Sequence, residues 1–143
     1  MSTEQNKELV RRMFDRILRG DTQDVAEIFA PDWVNVDTAL PPMKGIDGAR
    51  MLLTLFSSAF PGSRVEFIQM IGEGDKVAAH FSFSGTHKGA FLNVPPTGKS
   101  FSVTGTGIFR VKDGKLVENR VVFDALALMQ QLGVAPAPGQ APH

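Results

Sequence analysis

The chain has 143 residues, and its 15 Lys and Arg balance 15 Asp and Glu, so the formal net charge at pH 7 is zero. This length predicts one domain, and the absence of a basic stripe argues against a nucleic-acid partner. The chain has no cysteine, which excludes disulfides, catalytic thiolates and zinc–thiolate sites within it. With no signal segment and no apolar run of membrane-spanning length, we expect a soluble cytoplasmic protein without a membrane partner.

The first thirty residues predict two helices. Residues 2–5 (Ser-Thr-Glu-Gln) fit a capping box, residues 9–18 carry apolar side chains at helical spacing, and Gly20 supplies the stop. A second, short helix is predicted after an Asp21 cap and is expected to end at Pro31.

The next segment predicts a strand and a third helix. Residues 33–37 fit a strand, and residues 38–44 contain two prolines and predict a loop. The third helix is predicted from an Asp47 cap to residue 59. Because side chains alternate along a strand, three of the strand residues share one face: Trp33, Asn35 and Asp37.

The second half is rich in predicted strands. Residues 73–76 form one predicted turn, and Asp113 with Gly114 suits a type I′ turn, which needs two positive φ angles. A last helix is predicted over residues 125–132, and residues 135–143 predict a mobile Pro/Ala-rich tail after a domain of residues 1–134. The four strands are predicted at residues 64–71, 77–86, 100–111 and 116–123.

Three segments carry a family resemblance: Gly-Thr-His-Lys-Gly at residues 85–89, Phe-Leu-Asn-Val-Pro-Pro-Thr-Gly-Lys at 91–99, and Phe-Arg-Val-Lys-Asp-Gly-Lys-Leu at 109–116. Together they resemble the SnoaL-like polyketide cyclases of the nuclear-transport-factor-two-like superfamily, from about Asn6 to Gly133. The resemblance implies an α+β fold, a cone-shaped barrel with three N-terminal helices on a strongly curved, mixed, mostly antiparallel sheet and a short C-terminal helix. It also implies a ligand cavity between helices and sheet.

The resemblance also implies a changed catalytic site. Family members transfer the proton with an aspartate on the last strand, and the matching position here is Val121. Their histidine and glutamine on the preceding strand match Gly107 and Gly105. We therefore expect an apolar cavity wall without the usual aspartate, widened by the two glycines. In the alternative interpretation the glycines bend the sheet. The predicted ligand-binding residues are Trp33, Phe101, Gly105, Gly107, Asn119, Val121 and Phe123.

Three residues are the candidate catalytic groups. Asn35 matches a family asparagine and would donate to a ligand carbonyl, and Asp37 would remove a proton beside it, with Trp33 stacking on a ring. His87, shared with the family, is a second candidate for proton transfer. Structural roles compete with each: Trp33 as core, Asn35 bonded to backbone, Asp37 capping the next loop and His87 fixing the loop after it.

Other polar residues receive structural predictions. Asp124, directly before the last helix, is expected to cap it, with a place in the site as the alternative. His80 lies on the polar face of its strand and is predicted to be exposed or to face another subunit. The apolar loop 91–99 is expected to cover the cavity mouth or contact another subunit. No metal site and no cofactor is predicted, since no histidine pair or carboxylate cluster has ligand spacing.

These observations leave three functional hypotheses. The first is a cofactor-free acid–base enzyme of cyclase, isomerase or hydrolase type, acting on a hydrophobic cyclic or polyketide-like molecule. The second is a non-catalytic protein that binds such a molecule, and the third is a scaffold with an incidental cavity. No tyrosine is present, so an Asn, Thr, His or backbone N–H would have to stabilise an oxyanion. A homodimer is predicted through the outer sheet face, which carries His80, Thr104, Thr106, Arg110, Glu118 and Arg120.

Overall fold

The computed structural model describes residues 2–136 and Gly139. The predicted mobile tail therefore lies partly outside the described residues. The elements in chain order are α1 (Thr3–Arg19), α2 (Val25–Ile28), β1 (Phe29–Asp37), β2 (Met43–Lys44), α3 (Gly45–Ala59), β3 (Arg64–Glu73), β4 (Lys76–Thr86), β5 (Ser100–Lys112), β6 (Lys115–Phe123) and α4 (Ala125–Gln131).

One curved sheet organises the molecule. Its six strands lie in the order β2-β1-β6-β5-β4-β3. The pair β1–β6 is parallel, and every other neighbouring pair is antiparallel. Helices α1 and α3 pack on the inner face, where the side chains of β5 alternate between buried and exposed along the strand. The predicted α+β cone with a mixed, mostly antiparallel sheet is confirmed.

Aromatic side chains fill the core in two clusters. Around Phe14 of α1, the rings of Phe67, Phe81 and Phe109 lie 5.2, 5.0 and 5.8 Å away between centroids. The second cluster forms where α3 ends, around Phe60, whose ring lies 4.9 Å from those of both Phe91 and Phe101. Such edge-on and tilted contacts add to the burial energy of each ring. The rings of Phe14, Phe81 and Phe109 also line a cavity.

The local signals predicted most element ends. Ser2 and Gln5 form the reciprocal capping box, and Gly20 ends α1 in the left-handed conformation. Asp113 and Gly114 both have positive φ, 51° and 75°, as a type I′ turn requires.

The start of β1 differs from its prediction. We expected Pro31 to end α2 and the strand to begin at residue 33, whereas α2 ends at Ile28 and β1 runs on from Phe29. The register of β1 against β6 shifts between Phe29 and Val34. Pro31 is exposed within this irregular stretch, where its missing N–H breaks no regular ladder.

Two predicted helix caps are also corrected. The residue before α2 is Asp24 rather than Asp21, and its carboxylate pairs with Arg16 Nε at 3.0 Å instead of capping the helix. Helix α3 begins at Gly45, directly after the short strand β2, so Asp47 lies in its first turn. Across the described residues, no helix is both long and apolar enough to cross a membrane.

Candidate functional site

A narrow cavity with a free volume of about 70 Å³ lies between the helices and the sheet. Helices α1 and α3 form one side, the inner face of the sheet forms the other, and Leu40 from the loop after β1 contributes to the wall. One water needs about 10–15 Å³ on this scale, so the cavity admits a small ring or one end of a larger ligand. Among the described residues that line it, three are polar: Asn35, Asp37 and Asn119.

The parallel pairing of β1 with β6 brings these polar residues together. Asn35 lies directly beside Asn119, and Asp37 lies directly beside Val121. Since side chains two residues apart point to the same face, all four face the cavity. Phe123, two residues further along β6, also lines it. The structure thus gathers five of the predicted site residues on one wall.

Both asparagines carry an unpaired polar atom. Asn35 is 5% exposed, and its Nδ2 has no hydrogen-bond partner within the described part of the chain. Asn119 is 1% exposed; its Nδ2 donates to Met13 Sδ at 3.2 Å, while its Oδ1 is unpaired among the same residues. A buried polar group left unpaired costs about 1–3 kcal/mol. The wall therefore holds a donor and an acceptor that a ligand can satisfy.

Asp37 combines a structural bond with a perturbed carboxyl group. The backbone N–H of Ala39 donates to Asp37 Oδ1 at 2.8 Å, so the residue holds the following loop. Partial burial raises the pKa of Asp37 above its ordinary value, and the N–H groups of Ala39 and Leu40 oppose this effect only in part. The carboxylate is consequently a stronger base than an exposed aspartate.

Trp33 and Phe101 lie in the core rather than along the cavity. The Trp33 ring is wholly buried and packs edge-on against Phe29, with 4.9 Å between centroids. Phe101 packs against Phe60 and Phe83. Trp33 has the inward parity of Asn35, but the ring of Phe29, at the start of the same strand, packs against it. Neither residue is part of the site that we propose below.

The two predicted cavity glycines make room for aromatic rings. A Cβ atom on Gly107 would lie 2.5 Å from Phe109 Cζ, and one on Gly105 would lie 2.6 Å from Phe81 Cζ. The rings of Phe81 and Phe109 therefore cover the strand where a side chain would stand. The described cavity lining includes these two phenylalanine rings and neither glycine, because the rings fill the space that the glycines leave.

His87 lies outside the cavity lining. Its ring is wholly buried, Nδ1 accepts the Thr97 backbone N–H at 3.2 Å, and Nδ1 lies 3.1 Å from Thr97 Oγ1. The Phe60 ring is 5.7 Å away between centroids. These contacts fix the loop after β4, so we leave His87 out of the proposed proton-transfer site.

The loop 91–99 folds back on the end of α3. Phe91 is wholly buried, and its ring lies 5.7 Å from that of Phe56. Reciprocal backbone bonds join Phe91 and Val94, with Leu92 and Asn93 at positive φ between them. The loop contributes no residue to the cavity lining found among the described residues.

The remaining predicted polar residues have surface or capping positions. Asp124 Oδ1 accepts the Ala127 N–H at 3.0 Å, which confirms its role as the cap of α4. His80 is exposed, as its strand parity predicts. Over residues 2–136 and Gly139, no group of three or more His, Cys, Asp or Glu side chains is arranged to hold a metal ion.

Sequence reasoning missed the helical side of the cavity. Met13, Ile17 and Leu18 of α1 line it, although their spacing predicted only a core-facing stripe. No sequence pattern indicated that Leu40 lines the cavity, because it lies in a loop whose path is set by contacts distant in sequence. The signal that could have identified the helical wall is a helix predicted to face a sheet whose inner face carries Asn35 and Asn119.

The sequence of the chain is similar to that of known polyketide cyclases. The family model for SnoaL-like polyketide cyclases matches residues 7–132. An aklanonic acid methyl ester cyclase from Streptomyces peucetius is 31% identical over 129 residues, covering 88% of this chain and 89% of that protein. A nogalonic acid methyl ester cyclase from Streptomyces nogalater is 29% identical over 116 residues, covering 80% and 87% respectively.

A solved structure agrees in fold. The crystal structure of a SnoaL-like protein from Jannaschia sp. CCS1 superposes with a TM-score of 0.83 at 28% identity, covering 94% of this chain and 95% of that one. The region that the family model matches includes most of α1, the whole sheet and all of α4. The chain therefore belongs to the SnoaL-like polyketide cyclase family.

Proposed function

We propose that the chain binds a hydrophobic cyclic or polyketide-like carbonyl compound in the cavity and transfers a proton on it through Asp37. The observation that carries the proposal is the pairing of Asp37 with Val121 across β1 and β6. The relatives named above are an aklanonic acid methyl ester cyclase and a nogalonic acid methyl ester cyclase. A flat carbonyl compound of this kind suits an apolar cavity with three polar groups on one wall.

Asp37 would supply the carboxylate that position 121 lacks. The family resemblance implies that Val121 stands where relatives carry their catalytic aspartate. Adjacent strands lie about 4.8 Å apart, so Asp37 presents its carboxylate to nearly the same part of the cavity from the neighbouring strand. The acid–base group would thus have moved from β6 to β1.

A proton transfer by these residues runs in two steps. Asp37 removes a proton from the carbon next to a ligand carbonyl, and the C–H electron pair forms an enolate. The Cα atom of Asn35 lies about 7 Å from that of Asp37 along the same strand. Asn35 Nδ2 donates to the oxygen where negative charge develops. In a cyclisation the enolate carbon then attacks a second carbonyl, and Asp37 returns the proton to the resulting alkoxide.

Binding without turnover is the second candidate. The bond from Ala39 N–H to Asp37 Oδ1 favours it, because it gives the carboxylate a structural reason to be present. The two candidates predict the same cavity ligand and differ in the effect of Asp37 on chemistry.

Deuterium exchange distinguishes the candidates. The probe is 2-tetralone, a flat bicyclic ketone with exchangeable protons beside its carbonyl, followed by ¹H NMR in D₂O. We expect the wild-type chain to accelerate exchange and Asp37→Asn to lose at least about 100-fold of that acceleration. Asp32→Asn is the matched control, since Asp32 is exposed on the opposite face of β1. Equal rates for wild type and Asp37→Asn would contradict the role of Asp37, and cavity binding without acceleration would leave the binding function.

We also propose that a second copy of the chain docks on the outer face of the sheet. The register aligns a row across five strands: Ile71, Ala78, Ile108, Arg120 and Val36. Ile71, Ile108 and Val36 are 54%, 48% and 44% exposed, which gives this face an apolar centre. Arg120 Nε donates to Glu118 Oε1 at 2.9 Å within the chain, so we expect the apolar side chains rather than these charges to make the central contact of the interface.

A further inference from the structure

We infer that the two buried amides of the cavity, Asn35 and Asn119, form a binding site for a hydroxyl group of the ligand, and that Asn119 determines this specificity. The inference rests on the proposed binding of a small carbonyl compound in the cavity. It adds a second polar group to that compound: an alcohol, phenol or enol hydroxyl close to the carbonyl.

Met13 fixes the orientation of the Asn119 amide. A thioether sulfur has no hydrogen to donate, so the group that faces it across 3.2 Å is the Asn119 NH₂. The amide oxygen then points away from Met13. It is buried and has no hydrogen-bond partner among residues 2–136, so it is an acceptor held ready in an apolar wall.

Asn35 supplies a donor next to this acceptor. The two residues are direct neighbours in the parallel pairing of β1 with β6, about 4.8 Å apart at their backbones. Asn35 Nδ2 is buried and likewise unpaired in the described chain. Its NH₂ group carries two hydrogens, so one can serve a carbonyl on the side of Asp37 and the other a group on the side of Asn119.

A hydroxyl matches this arrangement better than other small groups. It accepts from Asn35 Nδ2 and donates to Asn119 Oδ1 with a single oxygen atom. An ether or carbonyl oxygen accepts only, which leaves Asn119 Oδ1 unpaired, and a methyl group or fluorine leaves the amides essentially unsatisfied. Sites built to bond a ligand hydroxyl reject analogues that lack it, because the buried polar groups stay unpaired.

Two probes of nearly equal shape test the inference: p-cresol, which carries the hydroxyl, and 4-fluorotoluene, which carries fluorine in its place. An apolar cavity without hydrogen bonds favours 4-fluorotoluene, since the hydroxyl must give up water. Dissociation constants are measured by ¹H–¹⁵N NMR titration, with shifts at Asn35 and Val121 reporting binding in the cavity. We expect Asn119→Leu to weaken p-cresol binding about tenfold and to leave 4-fluorotoluene binding unchanged or tighter.

Asn6→Leu is the matched control. Asn6 is a buried asparagine, 3% exposed, with an unpaired Oδ1 among the described residues, but it lies outside the cavity lining. Its replacement should leave the ratio of the two dissociation constants unchanged. If Asn119→Leu does not fold, Asn119→Ser replaces it: its shorter hydroxyl cannot reach the same position and should weaken p-cresol selectively.

Each outcome has a distinct meaning. A ratio that Asn119→Leu leaves unchanged, with both probes still bound in the cavity, overturns this inference and leaves the proposed function intact. If neither probe binds in the cavity of the wild-type chain, the hydroxyl site is contradicted, and the proposed function is judged separately by the exchange of 2-tetralone. A selective loss of p-cresol affinity in Asn119→Leu, absent in Asn6→Leu, supports the hydroxyl site.

Discussion

Replacing Gly107 with alanine inserts a methyl group where the Phe109 ring lies. The new Cβ would stand 2.5 Å from Cζ and 2.8 Å from Cε2 of that ring, and 3.2 Å from Val121 Cγ2. Ordinary carbon contacts begin at about 3.5 Å, so the ring must move by about 1 Å. Phe109 is wholly buried and its ring lies 5.8 Å from that of Phe14, so this movement displaces a second aromatic side chain.

Overpacking of this kind costs about 1–3 kcal/mol of unfolding free energy. The enclosure of Phe109 places Gly107→Ala in the upper half of that range, at about 2 kcal/mol. For a chain of this size, such a loss lowers the melting temperature by roughly 6 °C. The alanine also displaces a ring that lines the cavity, so probe binding should weaken together with stability.

Urea denaturation of a double-mutant cycle measures the effect. Phe109→Leu removes the outer ring atoms that Gly107→Ala would strike, so the double variant should be more stable than the sum of the two single losses predicts, by about 1 kcal/mol. Thr106→Ala is the control, since Thr106 is exposed on the other face of β5, and it should stay within about 0.5 kcal/mol of wild type. Gly107→Ala at wild-type stability, or strict additivity with Phe109→Leu, would refute the packing argument.

Three further predictions concern other parts of the molecule. Asp37→Asn should stabilise the chain at neutral pH. Burial raises the pKa of the Asp37 carboxyl in the folded chain, so the protonated carboxyl stabilises the fold below its ordinary pKa of 3.8. This stabilisation is lost as pH rises through the folded pKa. The unfolding free energies of the wild-type chain and Asp37→Asn, measured at pH 3 and pH 7, check this. An equal difference between the two chains at both pH values would contradict it. His87→Ala should cost about 2–4 kcal/mol by removing a buried ring and its bonds to Thr97, while the rate of 2-tetralone exchange per folded molecule stays at the wild-type value. Ile108→Lys should convert the proposed dimer to a monomer by light scattering at micromolar concentration, whereas a wild-type monomer under those conditions would contradict the outer-face interface.

Local sequence signals predicted the elements, and strand parity predicted part of the site. Alternation placed Asn35 and Asp37 on one face of β1, and both line the cavity. The same parity selected Trp33, which lies in the core because Phe29 packs against it. Parity identifies the inner face of a strand, but neighbours from other elements decide which part of that face remains open.

The contacts that define the site depend on residues far apart in sequence. The pairing of Asp37 with Val121 follows from the parallel association of β1 with β6, and no local pattern specifies that register. The Met13 sulfur that orients Asn119 lies on the opposite wall, in α1. The filling of Gly107 by the Phe109 ring likewise required the side-chain packing of the folded chain.

The pH dependence of deuterium exchange into 2-tetralone tests the central claim most directly. If the Asp37 carboxylate is the base, the rate accelerated by the wild-type chain rises as pH increases through the elevated pKa of Asp37 and then levels off. Asp37→Asn should lose both the acceleration and this titration, while Asp32→Asn keeps both. The same rising profile in Asp37→Asn as in wild type would contradict the assignment of proton transfer to Asp37.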